Sequence, residues 1–371
     1  MIPLIVDLET EWRGGQNQAL LLLKGLYERG HAAELVAAHS SSLSHRAKKL
    51  GIYVHSVSRG LFRFRAASMI RSLLADGRVE LVHANEAHAV TAAWLAISNR
   101  HLPFVVSRRV GYPLGKSWIA KKRYKRADCI IANSQWVADQ AAASGAPRPK
   151  LRVVFEGAEI PPPLTPEQRA DARRRWSIPQ GAPLLGCVGV LLPDKGQEWL
   201  IRALAELRKD FPEARLILAG EGPTRHELEK LAVALGAKDA VIFAGFVREV
   251  EKVYAALDVF LLPSFFEAFN NSLLAAMAYQ IPSIAFRRGA LTEIIEDGRS
   301  GLIVSGPDVG EITAAVKKIL LDRDFAHLLG ESGRARICDN FSADHMVEKT
   351  LQIYEELLGG PACLEPEPDA S

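Results

Sequence analysis

Leu261-Leu262-Pro263-Ser264-Phe265-Phe266-Glu267-Ala268-Phe269-Asn270-Asn271-Ser272 leads without a break into the apolar stretch 273–279. The run 259–262 is too short for a helix and is closed by Pro263, which cannot continue a sheet ladder. Helical spacing resumes at Asn271, so a buried strand passes through one loop into a helix. The loop carries a single acid, Glu267, shortly before a helix amino terminus, where unpaired N–H groups and the positive end of the helix dipole collect.

The same unit recurs outward in both directions. Upstream in this half, strands are expected at 184–188, 216–218 and 241–243, and downstream at 283–285 and 302–304, each followed by a stretch of helical length. The amino-terminal half repeats the pattern with strands at 2–6, 33–37, 81–83, 104–107 and 129–132. Alternation of this kind specifies α/β architecture, with parallel sheets covered on both faces. Between the halves, Pro161-Pro162-Pro163 and Pro166 interrupt both helix and ladder, and a linker is placed over 156–166. Two doubly wound, Rossmann-like domains follow: 1–160 and 161–342. A helix at 343–359 is expected to pack back on the first domain, and 360–371 to form a disordered tail. Open α/β domains bind ligands beyond the carboxyl ends of their strands, so facing domains would create a cleft lined by loops from both.

The 371 residues suit two such domains, and 48% hydrophobic with 24% charged residues is a globular composition. The amino terminus runs from Met1 straight into a strand, with no signal-peptide pattern, and no apolar run approaches the roughly 18 residues needed to cross a bilayer. Four scattered cysteines form neither a disulfide framework nor a zinc pattern. A cytoplasmic protein is expected. A net charge of +3 gives no reason to expect nucleic acid as a partner.

Two further loops carry chemistry. Gly14-Gly15 follows the first strand and opens a helix, a place suited to a diphosphate. Gly189-Val190-Leu191-Leu192-Pro193-Asp194-Lys195-Gly196 occupies the matching position in the second half, where Lys195, read as a side chain on an exposed loop, would meet phosphate oxygens as a point charge. His83, Asn85, Glu86 and His88 follow a strand and border the acceptor side, without a third ligand at metal spacing, so no metal is expected. Asp322 and Asp324 suit a helix cap. Residues 108 to 126 hold eight Lys or Arg and no acid, including Arg108, Lys116, Lys121, Lys122 and Arg123, interleaved with Tyr112, Trp118 and Tyr124. Residues 59 to 71 add four arginines among Leu61, Phe62 and Phe64. Such mixtures fit an anionic membrane surface, which would make the protein peripheral on the inner face of the cytoplasmic membrane.

Pro263-Ser264-x-x-Glu267-x-Phe269, the helix ending Met277-Ala278 and the following Ile281-Pro282-Ser283 resemble the signature of glycosyltransferase family 4, a retaining family of GT-B fold. The resemblance covers nearly the whole chain. Its other elements are Gly14-Gly15, Arg29-Gly30-His31, Ala132-Asn133-Ser134, Ala219-Gly220-Glu221-Gly222-Pro223, Gly289-Ala290-Leu291-Thr292-Glu293 and Asp297-Gly298-Arg299-Ser300-Gly301.

The resemblance implies transfer of a sugar from a nucleotide-sugar donor to a cell-envelope glycolipid or polysaccharide, with retention and with neither metal nor cofactor. It puts Gly14, Gly15 and Lys195 at the donor diphosphate and Glu267 at the donor sugar. Phe269, Asn270, Asn271 and Ser272 would offer backbone N–H groups, Glu221 lies in the donor site, and Gly245-Phe246-Val247 forms the edge that receives the base. Arg109 stands where such enzymes carry a histidine and is assigned with Lys195 and Glu267 to catalysis. Departures from the pattern are Ala275, where a ribose-binding glutamate is usual, and Val190, where arginine is common. They keep open two alternatives: a non-catalytic nucleotide-sugar-binding or scaffolding partner, and a GT-B epimerase or phosphorylase.

Overall fold

A computed structural model describes residues 1–58, 60–97, 101–115, 118–179 and 181–359. The expected tail at 360–371 lies outside them, as do Arg59 and Lys116. The chain forms two compact units, Met1–Gly157 with Ala343–Ser371, and Ala158–Ser342. Residues 158–160, expected in the first domain, group with the second.

The first unit holds seven parallel strands: β1 Pro3–Asp7, β2 Glu34–Ala38, β3 Tyr53–Val57, β4 Leu81–Ala84, β5 Phe104–Arg108, β6 Cys129–Ala132 and β7 Leu151–Val153. Their order is β3-β2-β1-β4-β5-β6-β7. β1 is an interior strand and pairs with both β2 and β4, with Val6 opposite Val36 on one side and Ala84 on the other. Alternate residues feed opposite faces, as the pleat requires. Leu4, Val6, Val82 and Val106 join a core with Ile70 and Ala93, whereas Ile5, Leu35, Leu81 and Val105 join another with Leu23, Leu26 and Tyr354. Tyr354 belongs to the Ala343–Leu357 helix, which also contributes Met346, Val347 and Leu351 to that second core.

The second unit has six parallel strands: β8 Leu184–Val188, β9 Arg215–Ala219, β10 Val241–Gly245, β11 Val259–Leu262, β12 Ser283–Phe286 and β13 Leu302–Val304, in the order β10-β9-β8-β11-β12-β13. Leu185, Leu216, Leu218, Leu261 and Ile284 pack with Leu200, Leu204 and Val316 from the covering helices.

Pro166 corrects the reading of the linker. It is the first residue of the Pro166–Arg175 helix, capped by Thr165, whose hydroxyl accepts from Gln168 N (3.1 Å) while Thr165 N donates to Gln168 Oε1 (2.9 Å). Proline fits there because the N–H it lacks has no partner in a first turn. Asp322 likewise caps Arg323–Asn340, accepting from Phe325 N at 2.9 Å. Among the described residues no helix is long and apolar enough to cross a membrane.

Candidate functional site

The strand order of the second unit changes direction between β8 and β11, and the loops beyond the carboxyl ends of these neighbours diverge around the place where open α/β sheets take ligands. Backbone contacts fix the loops against one another. Phe265 N donates to Asp194 O at 2.8 Å. Gly196 has φ +67°, and a Cβ there would lie 2.2 Å from Pro263 O, so only glycine allows the approach. From the loop after β12, Ala290 N donates to Glu267 O at 3.1 Å, and Gly289, at φ +53°, has room for no Cβ beside the same carbonyl.

Glu267 is thus held by its backbone from one side, and its carboxylate by side chains. Lys195 Nζ stands 2.7 Å from Glu267 Oε1, and Asn270 Nδ2 donates to the same oxygen at 3.0 Å. The glutamate side chain is 6% exposed and the lysine 25%. Lys195 is therefore not the solvated loop cation that its sequence position suggests: its charge is committed to the one acid of the neighbouring loop. Asn270 holds both ends of this arrangement, because its Oδ1 also caps the Asn271–Ala278 helix by accepting from Leu273 N at 2.8 Å. The Phe269 ring is buried, 5.8 Å from the Phe341 ring. Ser272 and Ala275 are half-buried on the same helix, and Val190, in the loop after β8, is exposed.

In the first unit the order changes direction between β1 and β4, and a second polar cluster gathers there. Asp7, fully buried, accepts from Asn85 Nδ2 (2.7 Å) and Gln16 Nε2 (3.0 Å). Arg109 donates from Nη2 to Asn85 Oδ1 (3.1 Å) and pairs with Glu156 (3.3 Å), which also accepts from Asn133 Nδ2 (2.9 Å). The Arg109 stem passes beside Gly15, 3.6 Å from where a Cβ would stand. Burial raises the Asp7 carboxyl above its ordinary range, against the lowering effect of its hydrogen bonds. Burial first, and the Asp7 charge second, push Glu86 up to about 7.

Glu9, Glu86 and His88 bring ligand atoms within 4.8 Å of one another, the spacing of a cation site. Two of the three, Glu86 and His88, already have protein partners. Glu86 accepts the N–H groups of Leu8, His88 and Ala89, and His88 Nδ1 accepts from Arg63 Nε at 2.9 Å, which puts the neutral ring's proton on Nε2.

The residues assigned to the acceptor side are corrected in part. His83 is 2% exposed and closed off from solvent. Its Nδ1 meets Tyr354 Oη at 2.5 Å and its Nε2 meets Ser107 Oγ at 2.8 Å, joining the sheet to the Ala343–Leu357 helix. Arg108 is buried too, bonded to the Tyr112 carbonyl and to Tyr124 Oη (3.4 Å). Lys121 and Lys122 are exposed on the Trp118–Arg126 helix, with Lys122 Nζ 5.3 Å from the Trp118 ring centre. Arg123 bonds Thr91. Trp118, Ile119, Tyr112, Leu61 and Phe64 are all exposed.

Burial, then the Arg109 charge, drive His83 down to about 3, which gives a pH prediction. Between pH 6.5 and 3 the unfolded chain binds a proton there that the folded chain refuses. The contribution is fully present above pH 6.5 and is lost as pH falls. Unfolding by urea should show wild type losing stability from pH 7 to pH 4.5 more steeply than His83→Gln, by about 2 kcal/mol. Equal slopes would mean that the ring titrates freely in the fold.

Residues 12–160 match the family model described as Glycosyltransferase Family 4, and residues 168–336 the one described as Glycosyl transferases group 1. The chain is 28% identical over 350 residues to a GDP-mannose-dependent alpha-(1-6)-phosphatidylinositol monomannoside mannosyltransferase of Mycolicibacterium smegmatis, covering 89% of this chain and 91% of that one. It is 29% identical over 297 residues to a lipopolysaccharide core biosynthesis glycosyltransferase of Rhizobium meliloti, covering 78% and 82%. Among solved structures, a glycosyltransferase from Rickettsia africae superposes with a TM-score of 0.86 at 21% identity, over 96% of this chain and 98% of that one. Anabaena HepE, crystallised with UDP-glucose, superposes with a TM-score of 0.83 at 20% identity, over 96% and 100%.

Proposed function

This chain belongs to glycosyltransferase family 4 and has the GT-B fold, and from that we propose that it moves a sugar, with retention of configuration, from a nucleotide-sugar to a cell-envelope glycolipid or polysaccharide. The observation that carries the reading is the Lys195–Glu267 pair at the switch point of the second sheet, beside the amino terminus of the Asn271–Ala278 helix. A diphosphate leaving group gathers charge as the glycosidic bond breaks. In this reading the Lys195 ammonium, held beside Glu267, and the positive helix end meet that charge. Glu267 orients the sugar through its hydroxyls and serves as no covalent nucleophile. No metal takes part in the proposed step.

Relatives named for phosphatidylinositol mannoside and lipopolysaccharide core synthesis support an envelope acceptor. Exposed Trp118, Ile119, Lys121 and Lys122 support attachment to an anionic bilayer, with each cation near the surface contributing about 1 kcal/mol.

The test supplies the purified protein with labelled GDP-mannose, UDP-glucose or UDP-galactose, and with bacterial glycolipid acceptors in anionic or neutral vesicles. Label should enter an organic-extractable product carrying the donor's anomeric configuration, more readily on anionic vesicles. Inverted linkages would overturn retention, label only in water-soluble products would overturn the glycolipid acceptor, and equal rates on both vesicle types would overturn the membrane role.

A further inference from the structure

One charged group at the edge of the second unit has no work in the fold. Glu221, in the turn after β9, is exposed, and its carboxylate takes part in no hydrogen bond or ion pair among the described residues. The turn that carries it is rigid at the backbone: Leu191 N donates to Glu221 O at 2.9 Å, and Gly220 N to Gly245 O at 2.9 Å. That second bond brings Glu221 to the end of β10. A Cβ built on Gly245 would stand 3.7 Å from Glu221 Oε1 and equally 3.7 Å from Arg225 Nη1, so a carboxylate and a guanidinium flank one glycine. They do not pair with each other, since Arg225 Nε bonds Glu229 at 2.8 Å instead. The next residue, Phe246, is 70% exposed, a large apolar side chain presented to solvent.

Flat aromatic surface, a pure acceptor and a forked donor within one short span are what a purine edge requires. A carboxylate accepts and cannot donate. Guanine alone among the common bases offers it two adjacent donors, N1–H and the N2 amine, while its O6 and N7 accept from an arginine. Uracil offers one N–H between two carbonyl oxygens, which repel a carboxylate. Adenine and cytosine set a single amino group beside an unprotonated ring nitrogen, with the same result. Phe246 supplies a stacking face that any base can use.

We propose that Glu221, assisted by Arg225, selects guanine at the end of β10, with Phe246 as its stacking platform, so that the donor is a guanosine-diphosphate sugar. This rests on the nucleotide-sugar reading above, and adds the identity of the base and the residues that choose it. Inosine diphosphate is the discriminating probe, because it differs from GDP only in lacking the N2 amine.

Calorimetric titration of the whole chain with GDP, IDP, UDP and ADP should give GDP at least about tenfold tighter binding than the other three, the effect of one hydrogen bond to a charged group. Glu221→Gln should bring GDP down to the IDP level and leave UDP within about twofold, the exposed position keeping the fold intact. Phe246→Ala should weaken all four alike. Equal affinity of wild type for GDP and IDP, or a GDP preference that survives Glu221→Gln, overturns the assignment of Glu221. A Phe246→Ala loss confined to one base overturns the platform. Binding of none of the four by wild type overturns the nucleotide site itself, a failure visibly different from binding without selectivity.

Discussion

Replacing Glu267 by glutamine is expected to lower turnover by about 10²- to 10³-fold, the usual effect of removing one fixed electrostatic group from a reacting centre. The fold should survive, because glutamine keeps an oxygen where Oε1 accepts from Lys195 and Asn270. Asn270, and not Glu267, caps the Asn271–Ala278 helix, so the carboxylate is not needed to start that helix. Melting temperature should therefore shift little, since the change forfeits one charge in a contact that remains hydrogen-bonded. Donor affinity should change less than turnover, because the sugar is a small part of what a nucleotide-sugar presents. Steady-state kinetics and thermal unfolding on the same preparation decide the matter. A variant that turns over within threefold of wild type, roughly 0.6 kcal/mol by RT ln 3, removes Glu267 from the sugar site.

Position in the strand-loop-helix repeat made Glu267 and Lys195 conspicuous before any geometry was known, because buried strands such as 184–188 and 259–262 are continuous apolar runs that end abruptly. The edge strands lacked that mark. β3, Tyr53-Val54-His55-Ser56-Val57, leaves Tyr53 67% exposed and mixes polar residues into a short run, and β7 spans only Leu151–Val153, so neither stood out from its surroundings. Pro166 is ambiguous for a local reason: proline as a breaker and proline as a first helical residue differ only in the neighbouring cap, and the Thr165–Gln168 pair is the signal that separates them. His83 illustrates the harder case. A histidine at the end of a strand has the same sequence appearance whether it faces a ligand or a tyrosine 271 positions away, and Tyr354 becomes its partner only through the packing of the Ala343–Leu357 helix. The pairing of Lys195 with Glu267 spans 72 positions and depends on two glycines and a backbone hydrogen bond, so no spacing rule predicts it. Arg109 could be located by its place after β5, but not its anchoring by Asn85 and Glu156, since three different strands deliver those groups.

Lys195→Ala is expected to have two separable effects, and the pairing with Glu267 is what separates them. Loss of the ammonium should weaken nucleoside diphosphate binding by more than about tenfold, since a hydrogen bond to a charged group contributes about 1.5 to 3 kcal/mol. It should also destabilise the ligand-free protein, which a lysine on a free loop would not do. Glu267, 6% exposed, would be left with Asn270 as its side-chain donor, at a cost of about 1 to 3 kcal/mol for a buried charge that has lost one partner. Adding Glu267→Gln to Lys195→Ala removes that stranded charge. The double variant should therefore recover most of the lost stability, while its affinity for nucleoside diphosphate stays low, and the non-additivity measures the pair directly. Unfolding in urea gives the first quantity and calorimetry the second. Unchanged nucleotide affinity in Lys195→Ala would place the phosphates elsewhere. A stability loss that persists in the double variant would show that the lysine supports its loop by packing and not through its charge.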